Sequence, residues 1–468
     1  MSIRLVVLYI LIAVLAGVSL RKWYWSLCGL LFVTVLTQNP SMPTMIGGVQ
    51  GLNPWNATFA FIAFAWLLDR RRDPKRAGAS PQVVMLVMMY VALLCVIGLI
   101  AAFDVGGFRG EYAGRFTRKD VIIETMINPL KYLAVGVMFY DGALTRNRVK
   151  LALFSAVGSG LCYSLLMFKS LREKVFTINY SQARRVTDKI IGLFANDLAE
   201  LTAFTLLAAC LLVLIIRPAW LKALWLSIAV AAIPAFVALK SRAGFLAFCL
   251  GGLTLGVLRY RKLLLLLPAA VVFVIAINPS VLDRALQGVG AHSYQTNWDE
   301  VSAGRTTYLW PPTMEQIRES PIVGHGRYGI LRTDCYDAMI AAGARGVPQH
   351  PHSAYLEILL DAGSIGFVIC MTCFGAIAWT SWTLLRNRRD PLLAVLGGIG
   401  LAAVVVELTA ALTGSSFYPT QSAVPYLCVW GVVLRVAAEQ RAYVAARKSA
   451  AARPIMTEPL IDGQVDGA

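Results

Sequence analysis

Two of the chain's four histidines, His350 and His352, lie together in the run His350-Pro351-His352-Ser353-Ala354-Tyr355-Leu356-Glu357. Imidazole is the side chain whose ordinary pKa falls nearest neutrality, so a neutral histidine can take the proton of a hydroxyl that is attacking an electrophile. Here the pair stands directly before a long apolar segment. A helix N-terminus carries partial positive charge, which disfavours imidazolium and keeps the ring neutral. A solvated histidine at a membrane interface is the plainer reading of the same residues. His-x-His with no nearby cysteine or carboxylate pair is a weak zinc pattern, and neither a metal nor a cofactor is expected.

The second set of chemical groups is cationic. Arg242 occupies Lys240-Ser241-Arg242-Ala243-Gly244, a turn too short to carry it far from the apolar segments on either side. An ionisable group pinned there is costly without a partner. Residues 169–189 hold Lys169, Arg172, Lys174, Arg184, Arg185 and Lys189 against Glu173 and Asp188; residues 109–119 add Arg109, Arg115, Arg118 and Lys119; Arg305 follows in a long polar segment. Guanidinium stays charged and pairs bidentately with phosphate. These residues therefore read either as a basin for an anionic substrate or as contacts to lipid headgroups. Carboxylates are fewer. Glu407 lies inside an apolar segment, where a carboxylate is functional by default, pairing an arginine or a structural partner. Asp197 and Glu200 open another segment and complement its dipole. Glu357 and Asp361 follow the histidines and either orient His352 or pair locally.

The elements that must position these groups are membrane helices. The 468-residue chain is 57% hydrophobic, with a mean hydropathy of +0.64, against about 45–50% apolar for soluble proteins. The excess comes in blocks of roughly 15–20 residues, the length that crosses a bilayer core. Candidate helices run roughly 3–20, 24–38, 52–68, 82–101, 126–142, 150–167, 196–216, 222–239, 243–258, 263–277, 354–384, 391–413 and 424–438, about 12–13 spans. The fold expected is all-α: a polytopic integral membrane domain over 1–440, with a long loop at about 278–353 inserted in it, and a basic, partly disordered tail over 441–468. The first block lacks an A-x-A cleavage site and reads as an uncleaved helix. The net charge of +17 is no nucleic-acid signal, since most lysines and arginines flank apolar blocks. Of nine cysteines, only Cys335 falls in a long loop, so no disulfide framework is expected, and Cys370-x-x-Cys373 reads as helix packing.

Basic clusters alternate along the chain: Arg70, Arg71, Arg72, Lys75 and Arg76; Arg146, Arg148 and Lys150; Arg217 and Lys222; Arg259, Arg261 and Lys262; Arg386, Arg388 and Arg389; and Arg441, Arg447 and Lys448 in the tail. The positive-inside rule places them in the cytoplasm. The loops at 39–51, 102–125, 168–195, 240–242, 278–353 and 414–423 then share the opposite face, and with them every candidate group named above. The segment 278–353 is expected to form short interfacial helices rather than a separate domain.

With those residues in view, the chain resembles the O-antigen ligase superfamily. His352-Ser353, nine further residues, Gly363 and Gly366 are similar to that family's His-(Asn/Ser/Gln)-x9-Gly-x-x-Gly signature. Arg305…Trp310…Pro321-Ile322-Val323-Gly324-His325-Gly326 resembles its outer loop, and Ser241-Arg242-Ala243 its Ser-Arg-(Ala/Gly/Thr) turn. Arg184, Arg185 and Gly192-Leu193-Phe194-Ala195-Asn196-Asp197 resemble its Arg…Gly-x-Phe-x-Asn-Pro-Asn-Asp segment, shortened here by the Pro-Asn. The likeness covers about residues 180 to 415, and the amino-terminal third adds only hydropathy.

The resemblance implies a metal-independent glycosyltransferase of a bacterial inner membrane. It would take a glycan from an undecaprenyl-diphosphate carrier at the periplasmic face. It carries to His352 the role of base toward the acceptor hydroxyl, and to Arg242, with Arg184 or Arg185, binding of the diphosphate leaving group; Arg305 and His350 join the substrate-binding set. Expected partners are the lipid-linked glycan donor, a glycan or lipid A-core acceptor and membrane lipid, with no nucleic acid. Transfer to lipid A-core makes an O-antigen ligase, the reading favoured. Transfer to a second lipid-linked repeat makes a polysaccharide polymerase, and transfer to protein an O-oligosaccharyltransferase. A transporter or flippase for lipid-linked glycans is the non-enzymatic rival, and it would set its cations near mid-membrane.

Overall fold

The computed structural model describes residues 3–46, 48, 49, 51–73, 78–171, 178, 180–279, 281–283, 304–344 and 346–451. The expectations for Lys75, Arg76, Arg172, Glu173, Lys174 and the tail beyond Ala451 lie outside the described residues, as does much of 278–303.

The chain is all-α. Among the described residues the only β feature is an isolated bridge between Ile46 and Val49, and nine helices are long and apolar enough to cross a membrane. Helix α1 (Ile3–Thr37) breaks at Lys22, at φ −143° and ψ 58°. Ser26 Oγ donates to Leu15 O at 2.8 Å, a contact a straight helix could not make at that separation. The block is thus a hairpin of two apolar arms, as the separate candidates 3–20 and 24–38 anticipated, turning on Arg21 and Lys22. Next come α2 (Pro54–Arg72), α3 (Pro81–Phe103) and α4 (Arg118–Ile122), which continues through a wide turn at Ile123–Ile127 into α5 (Asn128–Gly142). Helices α6 (Arg146–Leu171), α7 (Tyr180–Val186), α8 (Ala195–Leu212), α9 (Ala219–Leu239), α10 (Arg242–Leu258) and α11 (Lys262–Ile277) follow.

Local chemistry sets many of these starts. Asn53, Ser80, Ser241 and Asp390 each accept a backbone N–H of the first turn, and proline stands at the first positions of α2 and α3, where its missing N–H costs nothing. The short helices α12 (Trp310–Glu319), α13 (Gly329–Arg332) and α14 (Cys335–Ala341) are the described part of the long loop. Three long helices close the fold: α15 (Ala354–Leu385), α16 (Pro391–Ala410) and α17 (Val424–Ala451). α17 crosses α5 at glycines so closely that a Cβ on Gly431 would stand 2.2 Å from Gly136 O.

The basic turns gather at one end. Arg70 Nη1 lies 3.5 Å from Asp141, Arg146 pairs with Asp390, and Arg259 donates to Asn387 O at 2.8 Å. The opposite end holds the turn at 240–242, the 411–423 segment and the described part of the long loop. There α12–α14 form a small second core with Phe108, Tyr112 and Val121. Arg109 is consumed in joining these loops, paired to Asp334 and Asp337, so its charge is not free for a substrate basin.

The hinge of this end is inside α15. Gly363 interrupts the helix at φ 60°, ψ −163°, a conformation essentially restricted to glycine. The loop 320–326 docks into the break. Ser364 N donates to Pro321 O at 2.8 Å, His325 N to Leu360 O at 2.8 Å and Gly326 N to Asp361 O at 2.8 Å, satisfying groups the break would orphan in a water-poor environment. Gly324 and Gly363 permit the approach, since a Cβ on either would fall 2.5 Å or less from facing backbone. Gly363→Ala should therefore cost about 1–3 kcal/mol from backbone strain alone, and more from the collision with Ile322. A thermal melt of the variant in detergent should shift down by several degrees; an unshifted melt would show that the break does not constrain the fold.

Candidate functional site

The loop docked on Gly363 brings in Arg327, which the sequence reading missed. Its backbone N–H donates to Ile97 O at 3.0 Å, and its guanidinium turns down between two carboxylates of α15. Nη1 pairs with Glu357 Oε1 and lies 2.9 Å from Asp361 Oδ2. Tyr418 donates to the same Asp361 oxygen at 2.9 Å and Gly329 N to the other at 3.1 Å. The guanidinium stacks 3.9 Å from the Tyr418 ring centroid. Burial works against its charge, but the two carboxylates outweigh it and hold the guanidinium protonated. Glu357 and Asp361 thus pair with Arg327 rather than contacting His352. Two carboxylates four apart on an apolar helix were the signal, since one face of the helix then demands a cation.

Above this cluster the backbone fixes the histidines. Trp310 Nε1 donates to Pro351 O at 3.0 Å, and Ala354 N to Ala411 O at 2.8 Å. Between these anchors His352 adopts φ 50°, a left-handed conformation that strains a residue with a Cβ and recurs at functional sites. The two imidazoles meet edge to face with centroids 4.5 Å apart. His352 N donates to His350 Nδ1 at 3.3 Å, so His350 has that lone pair engaged and orients its neighbour.

The electrostatics keep both rings neutral. Burial, then His350, Arg305 and Arg184 push His352 down to about 3. Burial, then Arg327 and Arg305 lower His350 to about 4. Of the expected site residues, the structure therefore brings His350, His352, Arg305 and Arg184 into one field. Arg184 is largely exposed, 4.0 Å from Asp188 on the next turn, and Arg185 is exposed beside it. Arg242 opens α10. Its neighbour Ser241 donates to Asn196 Oδ1 at 2.9 Å, tying the Ser-Arg turn to the Asn-Asp segment of α8.

Of the two partners open to Glu407, an arginine or a structural one, the described residues show no arginine. Glu407 meets Asp197, Glu200, Ser416 and Tyr426 around a polar cavity. Helices α8, α16 and α17 converge there, and sequence distance alone hid the convergence.

Charged partners so placed can activate a hydroxyl at His352 and receive an anion at Arg305 and Arg184. Removing Arg327 leaves two buried carboxylates unpaired, at a cost of about 3–5 kcal/mol. Arg327→Met should accordingly melt far below wild type, and adding Glu357→Gln and Asp361→Asn should restore part of the loss. Equal melts for wild type and Arg327→Met would remove the cluster from its structural role.

Residues 228–371 match a family model described as O-antigen ligase. The matched stretch includes the Ser-Arg turn, Arg305, the docked loop, both histidines, Gly363 and Gly366; Arg184, Arg185 and Asn196 precede it and Glu407 follows. No curated protein matches the chain.

Proposed function

We propose that this chain, whose residues 228–371 match the O-antigen ligase family model, transfers a glycan from an undecaprenyl-diphosphate carrier to an acceptor hydroxyl. The acceptor we favour is lipid A-core, at the periplasmic face of a bacterial inner membrane; the end of the bundle opposite the basic turns would be that face. The observation that carries the reading is His352, held neutral between fixed anchors with Arg305 and Arg184 in its field.

In this mechanism the acceptor hydroxyl attacks the anomeric carbon. Its proton passes to the free ring nitrogen of His352, the new glycosidic bond forms, and the bond to the diphosphate breaks. The carrier diphosphate leaves as an anion. Arg305 and Arg184, with Arg242 and Arg185 at the adjoining turns, neutralise the charge that develops on it, which is the largest part of such catalysis. A base of depressed pKa is a weak base until those cations are occupied. Binding the diphosphate cancels part of their field and raises the imidazole pKa, so the base strengthens once the donor is in place. His350 orients His352 through its engaged Nδ1. Polymerase chemistry uses the same steps with a second lipid-linked repeat as acceptor, and product length separates the two.

In nanodiscs containing EDTA, wild type should extend a lipid A-core acceptor with glycan from an undecaprenyl-diphosphate donor. His352→Ala and Arg242→Ala should each lose about two to four orders of magnitude in rate. The acid limb of kcat/KM, which reports the free enzyme, should lie below pH 5, and that of kcat should lie higher because the donor is bound. An active wild type matched by His352→Ala, or two coincident limbs near pH 6.5, would overturn the assignment of the base.

A further inference from the structure

The cavity around Glu407 is not used by the steps above. It encloses about 50 Å³ between the start of α8, the end of α16, the start of α17 and the 414–423 segment, and its walls include Asp197, Glu200, Glu407, Ser416, Ser422 and Tyr426. Among the described residues no lysine or arginine lines it. Glu200, Glu407 and Tyr426 are 7%, 7% and 4% exposed. Three of its polar atoms, Glu200 Oε1, Ser416 Oγ and the Tyr426 hydroxyl, are buried and find no hydrogen-bond partner among the described residues. Orphaned groups of this kind cost free energy unless something from outside completes them.

The missing partner must both donate and accept hydrogen bonds, since a carboxyl oxygen and two hydroxyls await it, and a sugar hydroxyl does both. Three acidic side chains, with no lysine or arginine beside them among the described residues, make a poor seat for a diphosphate. Among the described residues no three acidic, histidine or cysteine groups converge tightly enough to hold a metal ion, so the walls suit something that spans them. The volume admits roughly three to five water-sized groups, enough for the hydroxyls along one edge of a sugar and too small for a whole ring.

The position is equally specific. Asp197 follows Asn196, which binds Ser241 beside Arg242. Glu407 lies one turn from Leu408–Ala411, to which the histidine helix is tied by Tyr355 Oη donating to Leu408 O at 2.7 Å and by Ala354 N on Ala411 O. The cavity therefore sits between the Ser-Arg turn and the base. We propose that it is the acceptor subsite: Glu200, Glu407 and Tyr426 bind hydroxyls of the acceptor sugar next to the one presented to His352. The two linings would then sort the substrates, with the diphosphate donor on the arginine side and the hydroxyl-rich acceptor on the side lined by acids and hydroxyls. This inference rests on the glycosyl-transfer reading for the word acceptor, but not for the binding itself.

The test is direct binding of delipidated core oligosaccharide to the full chain in nanodiscs, by saturation-transfer NMR, for wild type, Glu200→Gln and Tyr426→Phe. Both substitutions keep shape, and a thermal melt checks folding; Ser422→Ala provides a milder third variant. Binding by wild type should weaken at least tenfold in Glu200→Gln and Tyr426→Phe, while affinity for undecaprenyl diphosphate stays within twofold. In transfer assays the acceptor KM should rise and the donor KM should not. Equal oligosaccharide binding in all proteins, no binding by wild type at millimolar oligosaccharide, or a Glu200-dependent stabilisation by sodium, potassium or calcium ions alone would each overturn the subsite. Glu200-dependent binding without any transfer by wild type would sink the enzymatic reading and leave the sugar site standing. Transfer with an unchanged acceptor KM in Glu200→Gln would do the reverse.

Discussion

The end of the molecule that carries the candidate site depends on one buried ion cluster, Arg327 clasped by Glu357 and Asp361 beneath the broken helix at Gly363. The cluster joins a loop to a membrane helix, and neither holds its shape alone. The loop lends its backbone to the helix break, and the helix lends its carboxylates to the loop's arginine. Buried ion pairs add little net stability over apolar packing, yet losing one partner is costly. Such a cluster fixes one arrangement and penalises the alternatives. His352 sits on top of that arrangement, its left-handed backbone held from one side by Trp310 and from the other by Ala411.

The spacing of Gly363 and Gly366 from His352 acquires a physical reason from the same geometry. Gly363 supplies a backbone conformation closed to other residues and admits Ile322 against the helix; Gly366 lets Ala362 and Leu93 pack where a side chain would collide. These are scaffold positions. They place His352, and the loop that docks on them carries Gly324 for the same close approach to the break and Gly326 for packing against Ile100.

Much of this was legible in the sequence, because hydrophobic blocks of membrane length and alternating basic turns are local signals. The helices fall close to the expected boundaries, and even the hairpin at Lys22 was visible as two blocks. The ion cluster was not, since Arg327 meets Glu357 and Asp361 only after the loop folds back. Arg109 looked like part of an anion basin, but Asp334 and Asp337 neutralise it, a pairing that no spacing rule announces. Of the two partners open to Glu407, an arginine or a structural one, no arginine meets it among the described residues; the start of α8 brings Asp197 and Glu200 to it, and the 414–423 segment and α17 close the cavity. Types and blocks were readable; which charge faces which was decided by packing.

The most direct measurement is the titration of His352 itself, followed by NMR of protein labelled with nitrogen-15 at histidine, with and without undecaprenyl diphosphate. Four histidines make the spectrum tractable, and His352→Gln assigns the resonance. The ring should remain neutral from pH 8 to below pH 5 in the free protein, then titrate at higher pH once the diphosphate occupies the arginines. A ring that titrates near pH 6.5 and ignores the diphosphate would contradict both the buried field around His352 and its role as the base.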